Sequence, residues 1–350
     1  MQVIYSGEHA RHSPLAEFEG SRLQEPFEHP GRAEIIRATL AADARFSFAE
    51  PDAWGTAPIE AVHDPGLVRF LATAWAEYQA ANGPTHDVVP DVFRHPGVRD
   101  GMGASAGSGE PTDVGMRLGW WCYETTTPLT EGTYAAARAS VDVALTATHR
   151  VLAGDAPAAY GLCRPPGHHA ARAVYGGYCF FNNAAVAAQH AVAAGAKVAV
   201  LDVDYHHGNG TQQIFYGRDD VLYVSLHAAP ERAYPYVTGY ADETGAGQGL
   251  GANLNLPLAA GVGDAELLAA LEAAGEAIDA HGTDVLVVSL GLDMYEHDPI
   301  ADLRVTTDGF SRAGALVRQF GVPTVVLQEG GYATADLGLN ARAWLLGLAS

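Results

Sequence analysis

The chain has 350 residues, of which 48% are hydrophobic and 17% are charged. This balance is typical of a globular protein with a sizeable core and excludes an intrinsically disordered chain. The formal net charge of −21 argues against nucleic acid or an anionic membrane surface as a partner. The same charge would attract a cationic substrate, although solubility or a salty habitat explains it equally well.

Targeting and redox signals are weak. No uninterrupted run of 18 apolar residues occurs, so no membrane-spanning helix is predicted. The first residues lack the basic and apolar regions of a signal peptide. Cys122, Cys163 and Cys179 show no CxxC spacing, which argues against a disulfide framework and against a thiolate zinc site. A cytoplasmic protein is expected.

Residues 83–131 form the first segment without regular patterning. They are rich in Gly, Pro and Ser, and GMGASAGSGEP lies at their centre. A long irregular segment inside a domain is usually a functional loop or a disordered one. The aromatic run from Trp120 to Tyr123 predicts that at least one end of this insertion is packed.

The second half of the chain alternates between two patterns. Short apolar, β-branched runs predict strands at residues 198–204, 221–227, 284–293 and 323–328. Alanine-rich stretches predict helices at residues 183–194, 265–280 and 308–320. This alternation predicts a single α/β domain with a parallel sheet, both faces of which are covered, and right-handed crossovers. We find no internal repeat and no linker that divides the chain.

Residue types that carry chemistry follow the predicted strands directly. They occur in RPPGHH (164–169), DVDYHHGNG (202–210), His227, Asp293 and EGGY (329–332). In α/β sheets, ligands bind at the carboxyl ends of the strands. Five such strand ends therefore predict one shared pocket.

Three of these residues form a candidate metal site. Asp204 and His206 are two residues apart in an extended segment, so their side chains share a face, and Asp293 supplies a second carboxylate. Three ligands leave a position open, as catalytic zinc requires, although ferrous iron accepts the same donors. Asp204 alone is also compatible with a helix cap. Asp202 is expected to orient its neighbours.

The tandem histidines and a tyrosine are candidate catalytic groups. Asp202 would keep one of His168 and His169 cationic, whereas Asn209 would only orient the other and leave it neutral. Tyr332 follows two glycines and is placed to donate a hydrogen bond to an oxyanion. Considered alone, His168 and His169 are also compatible with a pair of surface histidines, and Tyr332 is also compatible with a tyrosine that only packs.

Together these motifs resemble the zinc-dependent histone deacetylase family, and their order along the chain matches too. GGYCFFNN (176–183), SLH (225–227), GLD (291–293), FEHPGRAEI (27–35) and residues 62–64 extend the likeness over essentially the whole chain. Within the family, the chain resembles the bacterial acetylpolyamine amidohydrolases. That likeness rests on VIYS (3–6), Ala16-Glu17, the long loop before Trp120 and DPI (298–300).

The resemblance implies the arginase/deacetylase fold, a single α/β domain around an eight-stranded parallel sheet. Matched to the family's motifs, the zinc ligands are Asp204, His206 and Asp293, and the catalytic residues are His168, His169, Tyr332, Asp202 and Asn209. The substrate contacts are Tyr178, Tyr234, Glu17, Gly330 and Ile300. A structural potassium site is implied at Asp202, Asp204, His206, Ser225 and Leu226, and a second monovalent-cation site at Phe215, Arg218 and Val221.

The implied activity is removal of acetyl groups from acetylated polyamines or related small cationic amines, with a small acetylated amine as the substrate. Glu17 matches a glutamate that meets the distant ammonium in that branch. Other acids of the branch have no match, since Gly115 and Thr126 stand nearby and Glu124 is only a shifted substitute. The 83–131 insertion implies a homodimer in which the insertion narrows the entrance to the pocket.

Three other functions remain open from the sequence. The same chemistry would serve an acetyl-lysine protein deacetylase or another small-molecule deacylase. A non-catalytic binding module would not need a proton-transfer pair. A binuclear manganese ureohydrolase would need acids where residues 202–210 have histidines.

Overall fold

Eight parallel strands form the centre of the protein in the computed structural model, which describes residues 1–98 and 109–350. The described residues form the strands β1 (Gln2–Ile4), β2 (Glu17–Glu19), β3 (Arg22–Gln24), β4 (Ser47–Ala49), β5 (Ala158–Gly161), β6 (Val198–Asp202), β7 (Val221–Ala228), β8 (Asn253–Leu258), β9 (Val285–Leu290) and β10 (Thr324–Gln328). Along the central sheet the strands follow the order β4-β1-β5-β10-β9-β6-β7-β8. Strands β2 and β3 form a separate antiparallel hairpin.

Helices lie between and around these strands. They are α1 (Gly31–Ala41), α2 (Ala57–Glu60), α3 (Pro65–Asn82), α4 (Val114–Trp121), α5 (Thr133–Leu152), α6 (Asn183–Ala193), α7 (Asn209–Phe215), α8 (Asp264–His281), α9 (Thr307–Gln319) and α10 (Leu337–Ala349). The predicted α/β fold with an eight-stranded parallel sheet is confirmed. The four strands and three helices predicted in the second half are all present, with small differences at their ends.

The central strands are buried on both faces, which explains their apolar sequences. Every residue of β6, β7, β9 and β10 is buried. One hydrophobic cluster includes Val200 and Val287, and a second, on the other face of the sheet, includes Leu201 and Val288. Successive residues of one strand therefore contact different helical layers, as parallel α/β sheets require.

The prediction of an irregular segment over residues 83–131 is wrong in part, because α4 lies within it. Asp113 caps this helix by accepting a hydrogen bond from the Met116 N–H at 3.0 Å. Gly119 disfavours a helix on propensity, but a Cβ atom there would lie 1.6 Å from the Val92 carbonyl oxygen. The glycine thus reflects close packing. Residues 99–108, which hold most of the glycine-rich centre of the insertion, lie outside the described residues.

Other predictions concern the membrane and the thiols. No helix in the described part of the chain is long and apolar enough to span a membrane. Cys122, Cys163 and Cys179 are all buried and form no disulfide bond, as expected for a chain without a disulfide framework. Burial raises the pKa of the Cys163 thiol far above its usual range.

A buried ion-pair network joins the first helix to the sheet. Glu28 precedes α1, and its Oε1 and Oε2 accept hydrogen bonds from Nε and Nη2 of Arg164 at 2.8 and 2.9 Å. Arg32 Nη1 also donates to Glu28 at 3.0 Å. The other nitrogens of Arg32 donate to the carbonyls of Gly331 at 2.6 Å and Glu329 at 2.8 Å. The segments after β5 and β10 are therefore fixed to each other through α1.

Replacement of Glu28 by Gln is expected to destabilise the fold by about 3–5 kcal/mol, because two buried guanidinium groups lose their shared carboxylate. Burial opposes ionisation of Glu28, but Arg164 and Arg32 outweigh it and lower the pKa to about 2. This contribution is therefore present above the unfolded pKa of about 4.3 and is lost as the pH falls towards 2.

Urea unfolding of the wild type and the Glu28→Gln variant at pH 7 and at lower pH measures this difference. The control is Glu8→Gln, which removes an exposed pair with Arg11 and is expected to cost under about 1 kcal/mol. A Glu28→Gln variant as stable as the control at pH 7 would contradict the assignment.

Candidate active site

The carboxyl ends of four adjacent strands bring the predicted site residues together. The central order β5-β10-β9-β6 places the segments after these strands side by side. The tandem histidines follow β5, Asp204 and His206 follow β6, Asp293 follows β9 and Tyr332 follows β10. The structure thus gathers side chains from four distant parts of the chain at one edge of the sheet.

Asp204, His206 and Asp293 form a compact cluster of metal-ligand atoms, which lie within 4.8 Å of one another. His206 Nδ1 is 3.0 Å from Asp293 Oδ2 and 3.3 Å from Asp204 Oδ1. Burial and the carboxylate of Asp204 raise the pKa of Asp293 above its usual range. Two buried carboxylates and one imidazole fit a divalent cation such as zinc or ferrous iron, which would compensate their charge.

Glycines make room for these carboxylates. The Gly330 N–H donates to Asp204 Oδ2 at 2.8 Å, and a Cβ atom on Gly330 would lie 2.6 Å from Oδ2 of both Asp204 and Asp293. A Cβ atom on Gly291 would lie 2.3 Å from Asp204 Oδ2. Gly330, predicted as a substrate contact, is therefore placed against the metal-ligand cluster.

The tandem histidines have different partners. His168 Nδ1 is 3.1 Å from Asp202 Oδ2, whereas His169 Nδ1 is 2.7 Å from Asn209 Oδ1. Burial opposes protonation of His168, but the carboxylates of Asp204 and Asp202 outweigh it and raise the pKa to about 10. Burial and the neighbouring His168 cation lower the pKa of His169 well below its usual range. The structure thus separates one cationic imidazole from one neutral imidazole.

The protonated nitrogen of His169 follows from Asn209. The Asn209 Nδ2 donates to the His169 carbonyl at 3.5 Å, so the amide oxygen faces the ring and accepts from Nδ1–H. Nε2 is then the ring nitrogen with a free lone pair. Gly177 packs on this ring, since a Cβ atom there would lie 2.4 Å from His169 Cδ2.

Tyr332 is buried beside the cluster. Its backbone N–H donates to Asp298 Oδ2 at 2.7 Å, and the Arg32 guanidinium lies 4.6 Å from the centre of its ring. Burial raises the pKa of the Tyr332 hydroxyl well above its usual range. The hydroxyl therefore stays protonated and is available as a hydrogen-bond donor.

A cavity of about 270 Å³ leads to these groups. Tyr178, Tyr234 and Ile300, three of the predicted substrate contacts, line it together with His169, His206 and Tyr332. The rings of His169 and Tyr234 pack edge to face with centres 4.9 Å apart. The walls are therefore largely aromatic around the catalytic candidates.

The acidic residues differ from the prediction in detail. Glu17 is buried, accepts a hydrogen bond from Gln24 at 2.9 Å and does not line the cavity. Glu19 and Glu124 line it instead. The sequence signal for Glu19 is its spacing of two from Glu17 in a hairpin strand, which places both on one face. Glu124 also accepts from the Gly177 N–H at 3.0 Å.

The residues predicted for the first monovalent cation include two members of the cluster, Asp204 and His206, and the neighbouring strands β6 and β7 supply the others. Asp202 pairs with Ser225 in the register of β6 and β7, and Leu226 follows on the same strand. Ser225 Oγ is 2.8 Å from His227 Nδ1. Phe215 and Val221 are buried, and the carbonyl of Phe215 accepts from the Arg218 N–H at 2.9 Å.

This fold and the sequence relatives define a metal-dependent hydrolytic enzyme of the α/β class. The sequence profile of the histone deacetylase domain matches residues 26–348, and the chain belongs to this family. The acetylpolyamine amidohydrolase 2 of Pseudomonas aeruginosa is 43% identical over 342 residues, covering 97% of this chain and 96% of the relative. The acetylpolyamine amidohydrolase of Mycoplana ramosa is 40% identical over 352 residues, covering 100% of both chains.

A solved structure agrees with these relatives. The acetylpolyamine aminohydrolase from Burkholderia pseudomallei superposes with a TM-score of 0.90 at 41% identity, covering 100% of this chain and 99% of the other. The family resemblance inferred from the motifs is therefore confirmed.

Replacement of Gly330 by Ala is expected to weaken metal binding about 10- to 100-fold, because the added Cβ displaces two ligand carboxylates. Chelator competition with zinc measures the affinity. Gly7→Ala is the matched control, since nothing lies within 4 Å of its added Cβ. Equal affinities in the two variants would contradict the proposed ligands.

Proposed function

We propose that the protein hydrolyses the amide bond of an acetylated polyamine, or of a related small cationic amine, and releases acetate and the free amine. The observation that carries the proposal is the position of a neutral imidazole and a tyrosine hydroxyl beside the metal-ligand cluster. His169, His206 and Tyr332 all line the same cavity. A base, a metal ligand and an oxyanion donor thus face one substrate position.

Zinc is the metal we propose for Asp204, His206 and Asp293, and ferrous iron fits the same donors. Such an ion supplies a Lewis acid that polarises the amide carbonyl and acidifies water. The residues around the cluster hold its ligands in place. The Tyr205 N–H donates to Asp293 Oδ1 at 2.9 Å, and the Gly330 N–H donates to Asp204.

The proton transfers are assigned to His169. Its Nδ1–H donates to Asn209, so Nε2 accepts the proton of the attacking water and later returns it to the leaving amine. His168, paired with Asp202, remains cationic and favours the negative charge that develops nearby. Tyr332 donates its hydroxyl proton in a hydrogen bond to the carbonyl oxygen as that oxygen becomes negative.

The substrate preference follows from charge and from the relatives. Glu19 and Glu124 line the cavity, and the chain carries a net charge of −21. Both features favour a substrate with a cationic far end. Four relatives are named acetylpolyamine amidohydrolase, and the match with this chain covers 96% or more of the length of each.

Two additional features are proposed from the family resemblance. A structural potassium ion is proposed at Asp202, Asp204, His206, Ser225 and Leu226, and a second monovalent cation at Phe215, Arg218 and Val221. The buried register pair of Asp202 with Ser225 supports the first site. Exchange of potassium for choline is expected to lower the melting temperature, and an unchanged value would argue against both ions.

A homodimer is also proposed, with the 83–131 insertion at the interface near the cavity entrance. Exposed apolar side chains support it. Phe18 and Tyr236 line the cavity, Val237 follows Tyr236, and Met116 lies on α4 within the insertion. Sedimentation equilibrium is expected to give twice the chain mass of 36.7 kDa. A monomer at every concentration would contradict the proposal.

A substrate panel tests the proposed function. We expect kcat/KM for N-acetylputrescine and N8-acetylspermidine to exceed that of neutral N-butylacetamide by about tenfold or more, equivalent to 1.4 kcal/mol. Added salt is expected to reduce this difference, because screening weakens the attraction of the acidic cavity for the distal ammonium. Faster turnover of an acetyl-lysine peptide would replace the polyamine proposal with protein deacetylation.

Replacement of Tyr332 by Phe is expected to lower kcat about 10²- to 10³-fold while the metal content is retained, because one oxyanion donor is lost. Steady-state kinetics together with metal analysis measure both quantities. Tyr134→Phe is the control, since Tyr134 lies on α5 and packs against Phe181. Near-normal turnover by Tyr332→Phe would remove this tyrosine from the mechanism.

A further inference from the structure

The carboxylate of Glu329 is buried at the end of β10, and none of the roles described above uses it. Its Oε2 accepts hydrogen bonds from the backbone N–H groups of Gly167 at 2.6 Å and of His168 at 3.2 Å. Its Oε1 accepts from the Ser289 hydroxyl at 3.1 Å. One side chain directly after β10 therefore holds the turn that carries the tandem histidines, 162 residues away in sequence.

The peptide group of His168 is held from the opposite side as well. Its carbonyl accepts hydrogen bonds from the N–H groups of Gly210 at 3.0 Å and Thr211 at 3.2 Å, in the first turn of α7. Asp202 and Asn209 fix the rotation of the two rings, but they do not contact the backbone N–H groups of the turn. Glu329 supplies that missing constraint.

Gly167 leaves little room for an alternative position of the turn. A Cβ atom there would lie 2.4 Å from the Asn183 backbone nitrogen, so the segment is already in close contact with α6. Buried N–H groups without an acceptor are unfavourable, because they lose their hydrogen bonds to water without gaining others. Without the carboxylate, the turn would have to move to find other acceptors.

We propose that Glu329 is a positioning residue for the hydrolysis, which holds the backbone of Gly167 and His168 so that His169 faces the scissile amide. This inference rests on the proposed function. A displacement of about 1 Å at a reacting group lowers turnover by about 10²-fold. The effect belongs in kcat, because Glu329 does not line the cavity that holds the substrate.

A second metal ion is the rival explanation for the same residues. Ligand atoms of His168, Cys179 and Glu329 lie within 4.8 Å of one another. The oxygens of Glu329 already accept three hydrogen bonds, and His168 Nδ1 already faces Asp202. The donors around Glu329 favour a hydrogen-bond acceptor over a metal ligand.

Three variants of Glu329 separate the effect of the length of its side chain from the effect of its charge. Glu329→Ala removes the acceptor and is expected to lower kcat about 100-fold, with KM within about threefold and the metal content unchanged. Glu329→Gln keeps an oxygen that accepts both N–H groups, and its amide donates to Ser289, so kcat is expected to stay within about tenfold. Glu329→Asp keeps the charge but is shorter by one methylene, and is expected to follow Ala.

Asp264→Ala is the matched control. Its carboxylate likewise accepts from a backbone N–H and a hydroxyl, those of Thr306 at 2.8 and 2.7 Å, but outside the site. The control is expected to lose stability and keep kcat. The proposal is overturned if Glu329→Ala keeps kcat within threefold, if Glu329→Gln is as impaired as Ala, or if Asp264→Ala loses as much turnover. Two bound metal ions per chain in the wild type, falling to one in Glu329→Ala, would establish the rival.

Amide hydrogen exchange keeps this inference separate from the proposed function. The amides of Gly167 and His168 are expected to exchange at least tenfold faster in Glu329→Asp than in the wild type or in Asp264→Ala. This readout needs no substrate. If the wild type hydrolyses no acetylated amine, the proposed function fails, while unchanged exchange at these two amides overturns the role of Glu329.

Discussion

The shared carboxylate of Glu28 is the contact on which the geometry of the site depends. It accepts hydrogen bonds from Arg164, which begins the turn with the two histidines, and from Arg32, which donates to the carbonyls of Glu329 and Gly331. The histidine turn and the segment before Tyr332 are thereby fixed to one helix. Buried ion pairs contribute little net stability when they are compared with apolar packing. Their contribution here is the connection of segments that are far apart in sequence.

The two adjacent histidines show how one low-dielectric environment produces opposite charge states. Both rings are buried, so both lose the stabilisation that water gives to an imidazolium. His168 faces the carboxylate of Asp202, whereas His169 faces the neutral amide of Asn209. The difference between an acid and an amide thus assigns one ring to electrostatic stabilisation and the other to proton transfer. The role of each histidine is therefore set by the side chain that its ring faces.

Much of the fold was predictable because its strands and helices follow from hydrophobic patterns within short stretches of the sequence. The β-branched runs predicted β6, β7, β9 and β10, and the rule that ligands bind at strand carboxyl ends placed Asp204, His206 and Asp293 together. Helix α4 was not predicted, because Gly119 is required by contact with Val92 and lowers the helical signal.

Long-range contacts account for the other features that the sequence did not show. The Glu28 and Arg164 pair spans 136 residues, and a charge pair leaves no periodicity at that distance. Glu17 was expected at the substrate entrance, but it is buried in the β2–β3 hairpin, and Glu19 on the same strand lines the cavity. Tyr178 and Tyr234 were assigned only through the family resemblance, since a tyrosine in a loop carries no local sign of its partners.

The glycines around the carboxylates have a consequence for how this protein tolerates change. Gly208, Gly291 and Gly330 each lie where a single methyl group would overlap a carboxylate oxygen, at 2.2, 2.3 and 2.6 Å respectively. None of them lines the cavity, and none needs a left-handed backbone conformation. In a saturation mutagenesis scan, substitutions at these glycines would be tolerated as poorly as substitutions at the ligands. The positions that are sensitive to substitution therefore outnumber the residues that take part in the chemistry.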